Sequence, residues 1–290
     1  MKIAVVMGGI SSEREISLKS GQAVLNALLE LGYDAYPMVL NKEDMMEKLT
    51  TWDYDLAYLV LHGEYGEDGR VQAVLDIIGK PYTGSGFTAS AVSMDKVITK
   101  KIVEAAGVRV AKSFNSVRET KKENYPIVIK PALEGSSVGL YICQTKKSAE
   151  EAVKALEGKK IVIEEFVKGE ELTVGVLDKE ALGVLKIKPK SGVYDFKSKY
   201  TKGETEYEYP AKIDKKLYKE AMKISEKAYE VLELNGAARV DLILLEDRLY
   251  FLEVNTIPGM TETSLLPKIA SLKGYDFKGL VGKVIEKFAK

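Results

Sequence analysis

Residues 238–255, ARVDLILLEDRLYFLEVN, decide the reading of this chain: two apolar runs flank the polar turn Glu246-Asp247-Arg248, the pattern of an antiparallel hairpin. A hairpin centred on Asp247 sets Asp241 opposite Glu253 and Arg239 opposite Asn255. Opposed residues share a face, and so do residues two apart on a strand. Two carboxylates, an amide oxygen and a guanidinium therefore converge on one patch. Hard oxygen donors of this kind suit Mg²⁺. A surface ladder of charges would use the same residues. Here, however, Val240, Leu242, Leu252 and Val254 bracket the acids with apolar neighbours, and a charge near a core needs compensation. The patch is read as a site.

Around the hairpin, Leu217, Ala221, Ile224, Ala228 and Val231 mark one face of a preceding helix. Phe277, Leu280, Val281, Val284, Ile285 and Phe288 mark a following one, read as core packing. Residues 188–210, KPKSGVYDFKSKYTKGETEYEYP, keep no period of 2 or 3.6 and read as a long loop. Tyr194, Phe196 and Tyr200 favour a lid over a solvating linker. From Ala111 to Lys188, the β-branched runs IVIK, VGLYIC, IVIEEF, LTVGVL and LGVLKI, with one helical segment SAEEAVKALEG, predict a mostly antiparallel α+β domain. The first 95 residues alternate strand and helix: IAVVM at 3–7, a helix from about Ser12 to Leu31, then AYPMVL and DLAYLVLH. That is a parallel α/β layer. Ser12 reads as the helix N-cap with Glu15 three residues on, and Ile16, Ala23, Ala27 and Leu31 as its apolar stripe.

At 290 residues the chain is too long for one small domain, and two or three are expected. Its 43 basic residues equal its 43 acidic ones, so no global field draws it to nucleic acid or to an anionic membrane. Small-molecule partners are expected instead. One cysteine, Cys143, forms no internal disulfide. One histidine, His62, leaves no Cys/His zinc cage and a single candidate base for a Ser-His-Asp or Cys-His hydrolase. Chemistry would rest on carboxylates, lysines, arginine and Mg²⁺. The opening MKIAVVMGGI is broken by Gly8 and Gly9 before it can serve as signal peptide or membrane span, so a cytoplasmic protein is expected. MGGISS also lacks the G-x-G-x-x-G spacing of dinucleotide folds.

Two other segments bear on ligand binding. Glu134-Gly-Ser-Ser-Val-Gly139 falls between the strands PIVIKP and GLYIC, where small residues either make a plain turn or line an anion with successive N–H groups. It is not a P-loop, since the G-x-x-x-x-G-K-[ST] spacing is missing. Lys130 either adds charge there or snorkels from its strand end. In Ile161–Glu171, IVIEEFVKGEE, a strand runs into clustered acids and Gly169. This is either an acidic loop or a strand end that offers its backbone to a flat base and a carboxylate to ribose hydroxyls. Alone, these segments leave both choices open.

Taken together, MGGISSEREISLKSG, LHGEYGEDG, YTGSG with SMDK, IVIKPALEGSSVG, IVIEEF, YDFKSKY, ARVDLIL and LEVNTIPGMTETSLLP resemble the D-alanine–D-alanine ligases of the ATP-grasp superfamily. They stand in the family's order and span essentially the whole chain. The resemblance implies an ATP-grasp fold of α/β and α+β parts. Residues 1–95 would form an N-terminal parallel α/β domain, 96–188 a central subdomain, and 189–290 the lid loop and a C-terminal subdomain with the metal site. The last two would grip ATP. By the same resemblance Lys96 and Lys130 neutralise ATP phosphates, Gly135, Ser136 and Ser137 lie in the turn that covers them, Glu164 and Val167 meet adenine, and Glu171 holds the ribose. Asp241, Glu253 and Asn255 bind two Mg²⁺, for which Mn²⁺ can substitute, with Glu253 bridging.

The implied reaction phosphorylates the carboxylate of one D-alanine, and the amine of a second then attacks the acyl phosphate, with Arg239 and the Gly259 N–H on the oxyanion. Glu13 would pair with the first ammonium, His62 would line that subsite, and Ser264 with the Leu265 backbone would hold the second carboxylate. Plainer roles exist for each: a first-turn acid, a satisfied loop histidine, a helix cap. Lys199-Tyr200 matches the family's lid motif, in which Tyr200 bonds Ser136 and Ser136 bonds Glu13. That tyrosine stands where lactate-forming relatives have a different lid with histidine. The family further implies a homodimer serving peptidoglycan precursor synthesis. Two other readings are a different ATP-grasp carboxylate–amine ligase and a nucleotide-binding module without chemistry.

Overall fold

Strands at the amino end pair in parallel because their crossovers are helical. In the computed structural model, which describes residues 1–192, 194, 198, 201 and 203–288, β1 (Lys2–Gly8) lies between β2 (Asp34–Leu40) and β3 (Leu56–Leu59). The connections are α1 (Arg14–Glu30) and α2 (Met45–Thr51). β1 is buried from Ile3 onward, as a strand covered on both faces must be.

The observed α1 corrects two expectations. No side chain caps it, and Ser12 is exposed. Ser11 Oγ instead accepts the Glu13 N–H at 3.2 Å and donates to the His62 carbonyl at 2.6 Å. The buried face carries Ser17, Ser20, Gly21, Val24, Ala27 and Leu28, while Leu31 is 39% exposed. Small residues occupy this face because the helix presses onto β1: a Cβ on Gly21 would stand 2.6 Å from Met7 Cβ. Ser17 Oγ accepts the Gly8 N–H and donates to the Val60 carbonyl, so a residue counted as polar is buried and satisfied.

α3 (Arg70–Ile77) and α4 (Phe87–Met94) lead to α5 (Lys96–Ala105), whose start is capped by Asp95 Oδ1 accepting from the Val97 and Ile98 N–H groups. β4 (Ile127–Pro131) then pairs antiparallel with β5 (Tyr141–Cys143) on one side and β6 (Ile161–Glu165) on the other, with α6 (Lys146–Ala155) packed against them. Cys143 is a buried free thiol.

A larger antiparallel sheet holds β7 (Glu170–Leu177), β8 (Glu180–Pro189), β9 (Thr205–Glu208), β10 (Ala237–Leu245) and β11 (Arg248–Asn255), in the order β11-β10-β7-β8-β9. Thr205–Glu208 corrects the reading of 188–210 as loop throughout. It is an edge strand whose Glu208 bonds Lys188 at 2.6 Å, and such charge-studded edges lack the apolar alternation that announces a strand. The expected boundary at 188 falls inside this sheet, with β7 and β8 before it and β9 to β11 after it. Phe196, Lys199 and Tyr200 lie outside the described residues. Helix Phe277–Glu286 is core, as its stripe predicted: Leu280, Val281, Val284 and Ile285 share one buried cluster with Ile3, Val24 and Leu28, and with Leu185 of β8. The amino and carboxyl ends are thereby locked together over the larger sheet. No described helix is long and apolar enough to cross a membrane.

Candidate active site

The hairpin pairs Arg239 with Asn255 and Asp241 with Glu253, but not by symmetry about Asp247. The turn has two residues, Glu246 and Asp247, with Leu245 facing Arg248 and Glu246 at φ 56°. A register shift between Asp241 and Leu242 then absorbs one residue of β11, and this bulge brings the polar ends back into step. Arg239 grips Asp241 with two bonds, Nε to Oδ1 at 3.0 Å and Nη2 to Oδ2 at 3.1 Å. Burial opposes the guanidinium charge, yet Asp241 outweighs it and Arg239 is raised above its ordinary value. Thr173, opposite Asp241 on β7, donates its hydroxyl to Oδ1 at 2.6 Å. Nothing in LTVGVL distinguishes this threonine from an ordinary β-branched strand residue.

Two clefts meet over the hairpin. One lies between the small sheet and the β10–β11 pair. Its walls include Lys130, Ser137, Glu164, Val167, Glu171 and Asp241, with Val128, Ile142 and Ile243 forming an apolar slot. The other, about 1610 Å³ and more open, is bordered by Glu13, His62, Gly135, Ser136, Arg239, Asn255, Gly259, Ser264 and Leu265. Lys96, Tyr194 and Glu253 border both. Lys96 Nζ donates to the Glu134 carbonyl at 2.8 Å and lies 3.3 Å from Glu253, joining the glycine-serine turn to the hairpin.

Ser136 and Ser137 both hold positive φ, 53° and 58°, a conformation that costs roughly 1 kcal/mol per L residue. Ser136 Oγ donates to Glu13 Oε1 at 2.6 Å, so the turn is tied to the entrance of α1. Ser137 Oγ donates to the Tyr194 carbonyl at 3.0 Å, and the Tyr194 and Tyr207 hydroxyls meet at 3.2 Å. Ser264 precedes helix Leu265–Ala270 without capping it, and its Oγ accepts the Thr261 N–H at 3.0 Å. A Cβ on Gly259 would stand 3.0 Å from that oxygen, so a side chain there would have to displace Ser264.

Glu164, expected against adenine, borders the first cleft with its carboxylate already engaged. It is 2% exposed, and its carboxylate is taken by Lys130 at 2.9 Å and by Lys100. Burial alone would push this acid up, but the Lys130 and Lys100 charges prevail and hold it at about 2. Val167 borders the same slot. Lys100 escaped the sequence reading because a lysine in TKK looks solvated until distant strands supply its partner.

Glu67, within the quoted LHGEYGEDG, was likewise not singled out, yet it borders the second cleft with its Oε2 accepting the Gly63 N–H at 2.6 Å. Burial, reinforced by the Glu13 charge, pushes its carboxyl up to about 8. Burial also lowers His62 against the opposing pull of Glu13, and among the described residues its Nε2 finds no hydrogen-bond partner. A raised acid stabilises the fold fully below about 4.5, and that contribution is lost as pH rises through about 8. Between pH 5 and 8.5 the wild-type Tm is therefore expected to fall relative to that of Glu67→Gln. Parallel curves would show Glu67 ionised throughout.

Residues 94–286 match the family model described as D-ala D-ala ligase C-terminus, and residues 43–85 that described as D-ala D-ala ligase N-terminus. A D-alanine–D-alanine ligase from Fusobacterium nucleatum is 56% identical over 289 residues, covering 99% of each chain. The crystal structure of D-alanine–D-alanine ligase from Bacillus anthracis complexed with ATP superposes with TM-score 0.86 at 33% identity, over 100% of this chain and 97% of that one. The VanG D-Ala:D-Ser ligase from Enterococcus faecalis superposes equally well, TM-score 0.86, at 29% identity over 99% of both. Matched by both family models over residues 43–85 and 94–286 and by full-length relatives, the chain belongs to the D-alanine–D-alanine ligase family, with its ATP-grasp fold.

Proposed function

We propose that the protein joins two D-alanine molecules to D-alanyl-D-alanine at the expense of ATP, releasing ADP and phosphate. One observation carries this reading: Lys96 and Glu253 stand on the border between a partly apolar slot also lined by Lys130 and a cleft rich in groups that suit an amino acid. A phosphoryl group leaving a nucleotide in the first would emerge there toward a carboxylate in the second.

Adenine would fill the slot beside Val167, with Glu171 on the ribose and Lys96, Lys130 and the Gly135–Ser137 turn on the phosphates. Asp241, Glu253 and Asn255, aligned by the hairpin register, would supply oxygen donors to Mg²⁺, two ions by family analogy, with Mn²⁺ as substitute. When bound, the cation would offset charge on the transferring phosphate. Glu13 would take the ammonium of the first D-alanine, with His62 beside it, and direct its carboxylate toward the border. The carboxylate oxygen is a poor leaving group until phosphorylation makes it a good one. The second amine then attacks the carbonyl carbon and phosphate departs. Arg239 and the Gly259 N–H would face the oxyanion, and Ser264 with the Leu265 N–H the second carboxylate. Lys199 and Tyr200 would close the lid, since an acyl phosphate open to water hydrolyses. In this reading residues 1–95 act as the preceding domain, the small sheet of β4 to β6 and the larger sheet of β7 to β11 as the two jaws, and a cytoplasmic homodimer supplies a peptidoglycan precursor.

Phosphate release tests the proposal. With ATP and Mg²⁺, release should require D-alanine and ignore L-alanine. Release that needs D-serine as well would move the product class toward that of the VanG neighbour, and none with any amino acid would reduce the protein to a nucleotide-binding module.

A further inference from the structure

Lys100 takes no part in the chemistry above and borders neither cleft, yet it is among the most buried charged residues of the fold, its side chain 4% exposed. It lies one helical turn after Lys96 on α5 and reaches Glu164 Oε2, while Lys130 holds Glu164 Oε1 at 2.9 Å. One buried acid is thus shared by two lysines, and of the two only Lys130 faces the nucleotide cleft. Resting on the proposed ATP site, we propose that Lys100 is a positioning residue for the polyphosphate: it supplies the countercharge of Glu164, so that the charge of Lys130 is left for the nucleotide.

The charge count gives the reason. Lys100, Lys130 and Glu164 sum to one positive charge, turned toward the cleft by Lys130. Without Lys100 the remaining pair sums to zero, and Lys130 becomes the sole partner of a carboxylate that cannot be left unpaired inside the protein. Glu171 also borders that cleft, while the charge of Lys96 there is shared with Glu253, so the loss of one positive charge is felt. Burial and the Lys130 charge push Lys100 down to about 8 despite Glu164, in keeping with a lysine whose position is set by its neighbours' need and not by its own solvation.

A role confined to fastening α5 to the small sheet would disturb the whole nucleotide pocket, base and phosphates alike. Calorimetric titration of ATP and of adenosine separates the two cases. Lys100→Met is expected to weaken ATP on the order of tenfold while changing adenosine by about twofold or less. Lys100→Arg should retain ATP affinity. In a Glu164→Gln background, where Lys130 has no carboxylate to serve, Lys100→Met should cost far less ATP affinity than it does alone. Lys100→Gln, which can still hydrogen-bond Glu164, replaces Lys100→Met should the latter not fold. Equal weakening of ATP and adenosine, or a full effect retained in the Glu164→Gln background, overturns the proposal. Wild-type protein that binds no ATP overturns the underlying functional reading instead.

Discussion

Asp241→Asn is expected to stop dipeptide formation, lowering kcat on the order of a thousandfold or more while the far-UV circular dichroism stays native. The substitution keeps the shape of the side chain, and its amide oxygen can still accept the Thr173 hydroxyl. What it removes is charge, at the point where the hairpin, Arg239 and the nucleotide cleft come together. The guanidinium then stays buried without its bidentate partner, a loss of about 3 kcal/mol by comparison with other broken buried pairs. A lower Tm should therefore accompany the lost activity. Glu253→Gln should be as inactive, since Glu253 borders both clefts and stands against Lys96. Near-normal turnover in either variant, with Mg²⁺ and ATP saturating, would remove the hairpin from the chemistry.

Arg239→Lys should separate acyl chemistry from nucleotide binding. Lysine keeps the charge beside Asp241 but loses the planar fork that holds both carboxylate oxygens and projects into the amino-acid cleft. A fall in kcat of about a hundredfold is expected, with ATP affinity within about twofold of wild type, because a donor aimed at a developing oxyanion matters only in the transition state. A parallel loss of ATP affinity would instead assign Arg239 to the phosphates.

Much of this site was legible because hairpins are local. Residues 239 to 255 carry their own partners, and alternation alone puts four polar groups on one face. The turn was nonetheless misjudged by one residue, and the polar ends pair as expected only because the bulge after Asp241 compensates. Where partners come from afar, the sequence is silent. Lys100 and Glu164 lie on α5 and β6, Thr173 and Asp241 on β7 and β10, and no period of 2 or 3.6 links either pair. Glu67 shows the same limit in electrostatic form, since its raised acid reflects burial and the Glu13 charge brought over from the start of α1. The α1 face failed for a packing reason: contact with β1 is so close that serine and glycine fill it, and hydrophobicity does not register them. Edge strand β9, written in Glu and Tyr, was hidden by the charges that keep it from pairing with another chain.

Transfer of carboxylate oxygen is the most direct test of phosphoryl transfer across the Lys96–Glu253 border. D-alanine labelled with ¹⁸O in both carboxylate oxygens is incubated with enzyme, unlabelled ATP and Mg²⁺, and the released phosphate is analysed by mass spectrometry. Attack of the carboxylate on the γ-phosphate, followed by aminolysis, must deliver one labelled oxygen to each phosphate and leave the other in the new peptide carbonyl. Dipeptide formed with unlabelled phosphate would contradict the account.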